Sequence, residues 1–391
     1  MLQNRSIKRV LAGLLAAFAF AGMAMPAMAV ETDAANFPIG SEQAKSLLLA
    51  EATSMQTILK KNDSEQLLVA GLSRMPITLV VCEAIDRGEL SLDEQIVVGE
   101  FASKISGPTA FLEANEKIAV KDLLKSAAMI GAGDAIVAMA LKLFGTDQAA
   151  AIAINERMSE LKINATITSL SNTDTKLSAA DLAVLGRRLA DSPSFSQYSA
   201  MYLDGITHED GSFTELANPN RLVKTYPGCI GIATGSSSEA GYCGVFAVKR
   251  SESVMIAVVV GAKNSKERFS LAQSLFDFGS SNYQAVRLCA KGDVVVPKVL
   301  VSNGTLQWVD LIAQNDMTML LAKGDSTPDA VYEVPERLNA PFKSGDVLGT
   351  VHYVDENGNA VASLNLVAAT GCDVAKLADY FRMVGLGWVH A

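Results

Sequence analysis

Residues 111–140 read FLEANEKIAVKDLLKSAAMIGAGDAIVAMA. From Val120 to Met129 the pattern is helical, Gly131-Ala132-Gly133 interrupts it, and Asp134 opens a second helix that runs to Phe144 and stops at Gly145. Upstream, Ser46 to Ala52 and Gln56 to Lys60 read as two short strands around a turn, and a helix spans Ser73 to Arg87, ending at Gly88. Downstream, Asn155 to Leu161, Ala179 to Ala190 and Phe195 to Tyr202 are helical. Cys229 to Thr234, Gly241 to Val248 and Val254 to Val260 are β-rich runs separated by turn residues, as in consecutive antiparallel strands. Ser265 to Phe278 returns as an amphipathic helix, so the region is mixed α/β.

Gly279-Ser280-Ser281-Asn282 then gives a polar, glycine-bearing break suited to a domain boundary. Beyond it, short β-rich runs such as Val294 to Val301, Met317 to Ala322, Val347 to Val354 and Ala360 to Val367 alternate with Gly, Pro, Asn and Asp turns. Residues 283–373 therefore read as a small all-β sandwich domain following a first domain over 30–282. The tail, residues 374–391, is helix-compatible, with Leu377, Tyr380, Phe381, Val384 and Trp388 on one apolar face and Gly385 and Gly387 weakening it.

Arg5, Lys8 and Arg9 precede an apolar run from Val10 to Phe20 and the small-residue pattern Ala27-Met28-Ala29. Residues 1–29 read as a secretory signal peptide cut before Val30, which places the mature chain outside the cytoplasm, in the periplasm or cell envelope. Removing its three cations takes the formal charge from -9 to -12, so nucleic acid is excluded as a partner and attraction to anionic lipid is small. With only Lys376 and Arg382 as cations and Asp379 among them, the tail is expected to give at most weak membrane-surface association. The five cysteines, Cys82, Cys229, Cys243, Cys289 and Cys372, and the three histidines show no metal-site spacing, and no cofactor is expected. Cys229 and Cys243 flank a turn near Ser236 to Glu239. They read either as a hairpin disulfide or as two buried thiols on neighbouring strands.

The blocks AGLSRM, GELSLDEQIVV, residues 111–140, NPNRL, YPGCIGIATGSSSEAGYC and KNSKERFSLAQSLFDFG occur in that order. Together they resemble the low-molecular-weight penicillin-binding D-Ala-D-Ala carboxypeptidases, from about Ser46 to the end of the chain. The resemblance implies a transpeptidase/β-lactamase-like domain, an antiparallel sheet flanked by helices with the site between the sheet and a helical subdomain, followed by a sandwich. It also implies action on peptidoglycan stem peptides through an acyl-serine.

Carried over residue by residue, the same resemblance leaves the reactive groups missing. Gly71 stands where the Ser-x-x-Lys serine would attack, and it has no side chain. Arg74 stands for the lysine that must lose a proton, whereas a guanidinium with a pKa of about 12.5 or more keeps its charge. Gly131 and Gly133 replace the serine and asparagine of Ser-x-Asn, and Ala233 replaces the lysine of Lys-Thr-Gly. The resemblance leaves four ligand-binding groups: the backbone N–H groups of Gly71 and Ser236, the Thr234 hydroxyl, and Arg268, which matches an arginine that receives the substrate carboxylate.

Ser73 reads as a helix-start cap, and Ser159-Glu160-Leu161-Lys162, the literal Ser-x-x-Lys of this chain, has no companion motif. The expectation is a catalytically inactive homologue that binds or scaffolds in the cell envelope, with a stem peptide or an envelope protein as partner. The alternatives are a working or residual carboxypeptidase and an interaction module without ligand binding.

Overall fold

The structure, a computed structural model, describes residues 40–250 and 253–379. The signal-peptide segment and the tail beyond Asp379, which holds most of its apolar face, lie outside the described residues. Two units are distinct, the first ending at Tyr283 and the second beginning at Gln284.

The first unit is built on a five-stranded sheet of β1 (Ser46–Glu51), β2 (Thr57–Lys61), β3 (Cys229–Ser237), β4 (Gly241–Arg250) and β5 (Ser253–Ala262). Their order is β2-β1-β5-β4-β3 and every pair is antiparallel. Side chains alternate across a strand. Ile256, Val258 and Val260 of β5 therefore join the main core, while Ala257 and Val259 are buried on the opposite face.

That opposite face is covered by α7 (Ser265–Asn282), whose Arg268, Leu271, Ala272, Leu275, Phe276 and Gly279 form a buried stripe at helical spacing. The helices α1 (Met75–Asp86), α2 (Val120–Ile130), α3 (Gly133–Phe144), α4 (Asp147–Glu160), α5 (Ala179–Asp191) and α6 (Pro193–Ser199) make up the other layer. Capping chemistry sets several of their starts. Ser178 and Asp181 form a reciprocal capping box at α5, and Thr146 accepts from Ala149 N at the start of α4. At Gly186, α5 packs so closely on the sheet that a Cβ would stand 2.6 Å from Val245 Cγ1.

The second unit holds a six-stranded sheet and a two-stranded ribbon. Its strands are β6 (Tyr283–Cys289), β7 (Val294–Ser302), β8 (Trp308–Ala313), β9 (Met317–Ala322), β10 (Asp329–Glu333), β11 (Arg337–Asn339), β12 (Val347–Val354) and β13 (Ala360–Ala368). The sheet order is β10-β12-β13-β8-β7-β11, and β6 pairs with β9. Cys289 of the ribbon packs with Leu311, Val351 and Leu366 of the sheet in one core, giving two layers.

Two local readings change. The polar stretch 279–282 is the last turn of α7 rather than a break. Gly279 is there for close approach: a Cβ would lie 2.8 Å from Met255 Sδ and 3.0 Å from Leu49 Cδ2. The helix expected from Ser73 begins only at Met75, because residues 70–74 form a tight 3-10 turn and Pro76 occupies the first helical turn. The alanine-rich start of α4 and the hairpin of Leu203–Thr207 with Phe213–Ala217 were not anticipated. All five cysteines are buried free thiols, and the register explains the open pair. Cys243 lies opposite Gly235 and Cys229 opposite Val248, so the two sit at different ends of the β3–β4 ladder.

Candidate functional site

The turn at residues 70–74 starts with Ala70 in left-handed backbone, φ 51°, and brings Gly71 against β3. At Gly235, a Cβ would stand 2.7 Å from Gly71 N and 3.1 Å from Gly71 Cα, so strand and turn meet backbone to backbone. Gly71 itself is not crowded, since a Cβ there would find Gly235 Cα at 3.8 Å. A small side chain at this place would therefore meet no steric obstacle.

Ser73 does not cap α1. Its hydroxyl is buried and has no hydrogen-bond partner among the described residues, because the N-cap position falls one residue later, on Arg74. Ser73 is also not among the residues lining the cavity described below.

Arg74 is only 3% exposed. Nη2 donates to the Ser106 carbonyl oxygen at 2.7 Å. The guanidinium lies where the second motif would put a side chain: a Cβ on Gly133 would meet Arg74 Cζ and Ile105 Cγ2, each at 2.8 Å. On its other side a Cβ on Gly107, where φ is 97°, would be 3.2 Å from Nη1. Arg74 and Gly133 are thus sterically coupled, since the guanidinium occupies the volume that a side chain on Gly133 would need. Burial pulls the Arg74 pKa down from its usual value, and the opposite charge of Asp134 works against that shift.

Gly131 ends α2 with φ 68° and donates to the Ala127 carbonyl oxygen, the left-handed C-cap that glycine adopts without cost. Asp134, one residue past the elbow, was read only as a helix start. It is 1% exposed, and its carboxylate accepts from Ala110 N at 2.9 and 3.0 Å, from Leu112 N at 3.1 Å and from Ala135 N at 2.8 Å. The residue between the clamped pair, Phe111, is turned outward with φ 60° and is 73% exposed. An acid in the first helical turn was the available signal.

Ala233 and Thr234 are half-buried on β3, opposite Val245 and Gly244, and Ser236 is exposed further along the strand. Arg268 reaches the same strand from α7, but it is buried and its Nη1 donates at 3.1 Å to the carbonyl oxygens of both Gly235 and Cys243. Its guanidinium lies 4.6 Å from the Phe269 ring centroid, and burial pulls its pKa down to about 10. In this arrangement Arg268 ties β3 to β4.

Gly71, Arg74, Gly131, Ala233 and Thr234 line one cavity of about 40 Å³ together with Met75, Phe195 and Asn218. Gly133 adjoins it through Arg74, while Ser236 and Arg268 are not among its lining residues. Ligand pockets for drug-sized molecules run to about 300 Å³ or more, so this hollow accepts a small group rather than a peptide. A wider hollow of about 350 Å³ is lined by Phe111, Glu113, Glu116, His208 and Asp210 among others and holds none of the motif positions.

The family described as D-alanyl-D-alanine carboxypeptidase matches residues 31–264, and that described as the C-terminal domain of penicillin-binding protein 5 matches residues 283–373. D-alanyl-D-alanine carboxypeptidase DacF of Bacillus subtilis is 29% identical over 388 residues, which is 98% of this chain and 99% of that protein. DacC of Escherichia coli is 26% identical, covering 92% and 91%. Penicillin binding protein 5 from Haemophilus influenzae superposes with a TM-score of 0.74 over 85% of this chain and 98% of that one. At 24% identity that likeness is one of fold. With the family match spanning residues 31–264 and the adjoining domain in its family's order, this chain belongs to the D-alanyl-D-alanine carboxypeptidase family.

Proposed function

We propose that this chain is a non-acylating member of its family, an exported peptidoglycan-associated protein that binds or scaffolds in the cell envelope. The observation that carries this reading is the pair Gly71 and Arg74. A glycine offers no nucleophile, and a guanidinium held near Asp134 keeps its proton and cannot act as the base. Loss of one member of a cooperating catalytic group costs on the order of 10⁴ to 10⁶ in rate, and here the serine, both bases and the third-motif lysine are all replaced. Membership supplies the ligand class, a stem peptide ending in D-Ala, and the segment at residues 1–29 supplies the export signal.

Intact-mass measurement after incubation with benzylpenicillin tests this reading. The expected mass is unchanged, for the wild type and for Gly71→Ser alone, whose new hydroxyl would still lack a neighbour able to take its proton. A stoichiometric mass increase in the wild type would overturn it in favour of a serine enzyme. For the tail, sedimentation with anionic vesicles is expected to show weak, salt-sensitive association. Tight binding lost on deleting residues 374–391 would show an anchor instead.

A further inference from the structure

The chain holds two Asn-Gly pairs, Asn303-Gly304 between β7 and β8 and Asn357-Gly358 between β12 and β13. Such a pair is open to a spontaneous reaction, because the glycine nitrogen can reach the asparagine side-chain carbon with no Cβ in the way. The two turns hold that nitrogen differently. The Gly358 N–H donates to the Asp355 carbonyl oxygen at 3.0 Å, and the Asp355 carboxylate accepts from Asn357 N at 2.9 Å and from Asn359 N at 2.8 Å. The Gly304 N–H has no hydrogen-bond partner among the described residues, and neither has the Asn303 side chain. Register is the reason. Gly304 lies opposite Val374 as a non-hydrogen-bonded antiparallel pair. The bonds flank it: Thr305 N donates to the Asp373 carbonyl oxygen at 2.9 Å, and Ala375 N to that of Asn303 at 2.8 Å.

Asn303 is exposed and in left-handed backbone, φ 58°, which asparagine adopts more readily than most residues. A Cβ on Gly304 would stand 2.5 Å from Cys372 Sγ and 2.7 Å from Val301 Cγ1, so the glycine that packing demands also leaves its own nitrogen unhindered. We infer that Asn303 is a self-modification site, deamidating through a succinimide with Gly304, and that its isoaspartyl product releases the chain from residue 374 onward. The Gly304 nitrogen gives its proton to water and bonds to Asn303 Cγ; the Cγ–Nδ2 bond breaks, and ammonia leaves with a proton taken from water. A second water opens the ring, so the net change is ammonia lost and water gained, about 1 Da, with a carboxylate in place of the amide. Opening at the backbone carbonyl puts an extra methylene into the main chain. The oxygen that Ala375 N–H uses then belongs to a side-chain carboxylate, and the pairing with Val374 loses its register. None of this depends on whether the first unit acylates.

The test ages the purified full chain in mildly alkaline buffer and follows it by peptide mapping with mass spectrometry that separates aspartyl from isoaspartyl forms. Asn303 is expected to convert at least about tenfold faster than Asn357, which must first give up the Gly358 bond and the support of Asp355. Unfolding the chain in urea removes that difference in hydrogen bonding, and the ratio should fall to within about threefold. A native ratio no greater than the unfolded one, or Asn357 converting first, would overturn the site. Release is read by hydrogen exchange on the isoaspartyl fraction, where the Thr305 and Ala375 amides should exchange at least about tenfold faster than in the fresh chain. Unchanged protection would overturn the release. Asn303→Gln, whose longer side chain closes the corresponding ring far more slowly, should keep both amides protected through the same ageing. Equal loosening in that variant would trace the effect to another residue and overturn the inference as well.

Discussion

Arg74 packs against Gly133 and Asp134 follows that glycine in the chain, both almost fully buried, and they are treated in opposite ways. Asp134 sits in the first turn of α3, where its charge meets the positive end of the helix, and three backbone N–H groups point at its carboxylate. Arg74 makes one hydrogen bond and otherwise fills space between Gly107 and Gly133. The acid holds the loop at residues 110–112 in place, a structural duty that persists whatever happens to the reaction. The arginine occupies the position that the resemblance gives to the lysine of the first motif. In this corner the acid that clamps the backbone is fully hydrogen-bonded, and the arginine fits beside Gly133 only because that residue is a glycine.

The largest effect should come from the acid. Asp134→Ala leaves the buried N–H groups of Ala110 and Leu112 unpaired and removes the charge opposing the desolvation of Arg74. It is expected to cost about 3 kcal/mol or more, read from the urea midpoint at constant slope. A loss under about 1 kcal/mol would mean that Asp134 is no better used than Arg74, and the contrast would fail.

Gly133→Asn restores the second-motif side chain against Arg74 Cζ and Ile105 Cγ2 and should cost about 2 kcal/mol by overpacking. Adding Arg74→Lys frees part of that space, so the double variant should recover about 1 kcal/mol relative to additivity; Ile105 keeps the recovery partial. Additivity within about 0.5 kcal/mol would show that the arginine and the glycine are not coupled. The smallest effect belongs to Gly71→Ser, where nothing stands within 3.8 Å of the added Cβ. Its stability should stay within about 0.5 kcal/mol of wild type by thermal unfolding, and a larger loss would show that the turn needs glycine for packing.

Much of this was legible in the chain. The five strands and the helices around residues 120–144 follow from alternation, helical spacing and the glycine elbow. The misreadings share a physical cause. Ser73 looked like a cap and Gly279 like a break because each is usually such a thing locally. Here a 3-10 turn shifted the helix start, and close packing against Met255 and Leu49 kept the helix going through a glycine. Arg268 looked like a free cation because its position in the sequence does not reveal the two carbonyl oxygens it reaches across β3 and β4.

The sequence by itself determined the family resemblance, the residue types at the positions matched to its motifs, and the order of the two β-containing units, because residue identity does not depend on packing. Only the tertiary structure decided that Arg74 fills the volume left at Gly133, that Asp134 clamps a loop 22–24 residues away in sequence, and that Arg268 is tied into the sheet. Those facts depend on which distant backbones approach within a few ångströms, and local pattern carries no record of that.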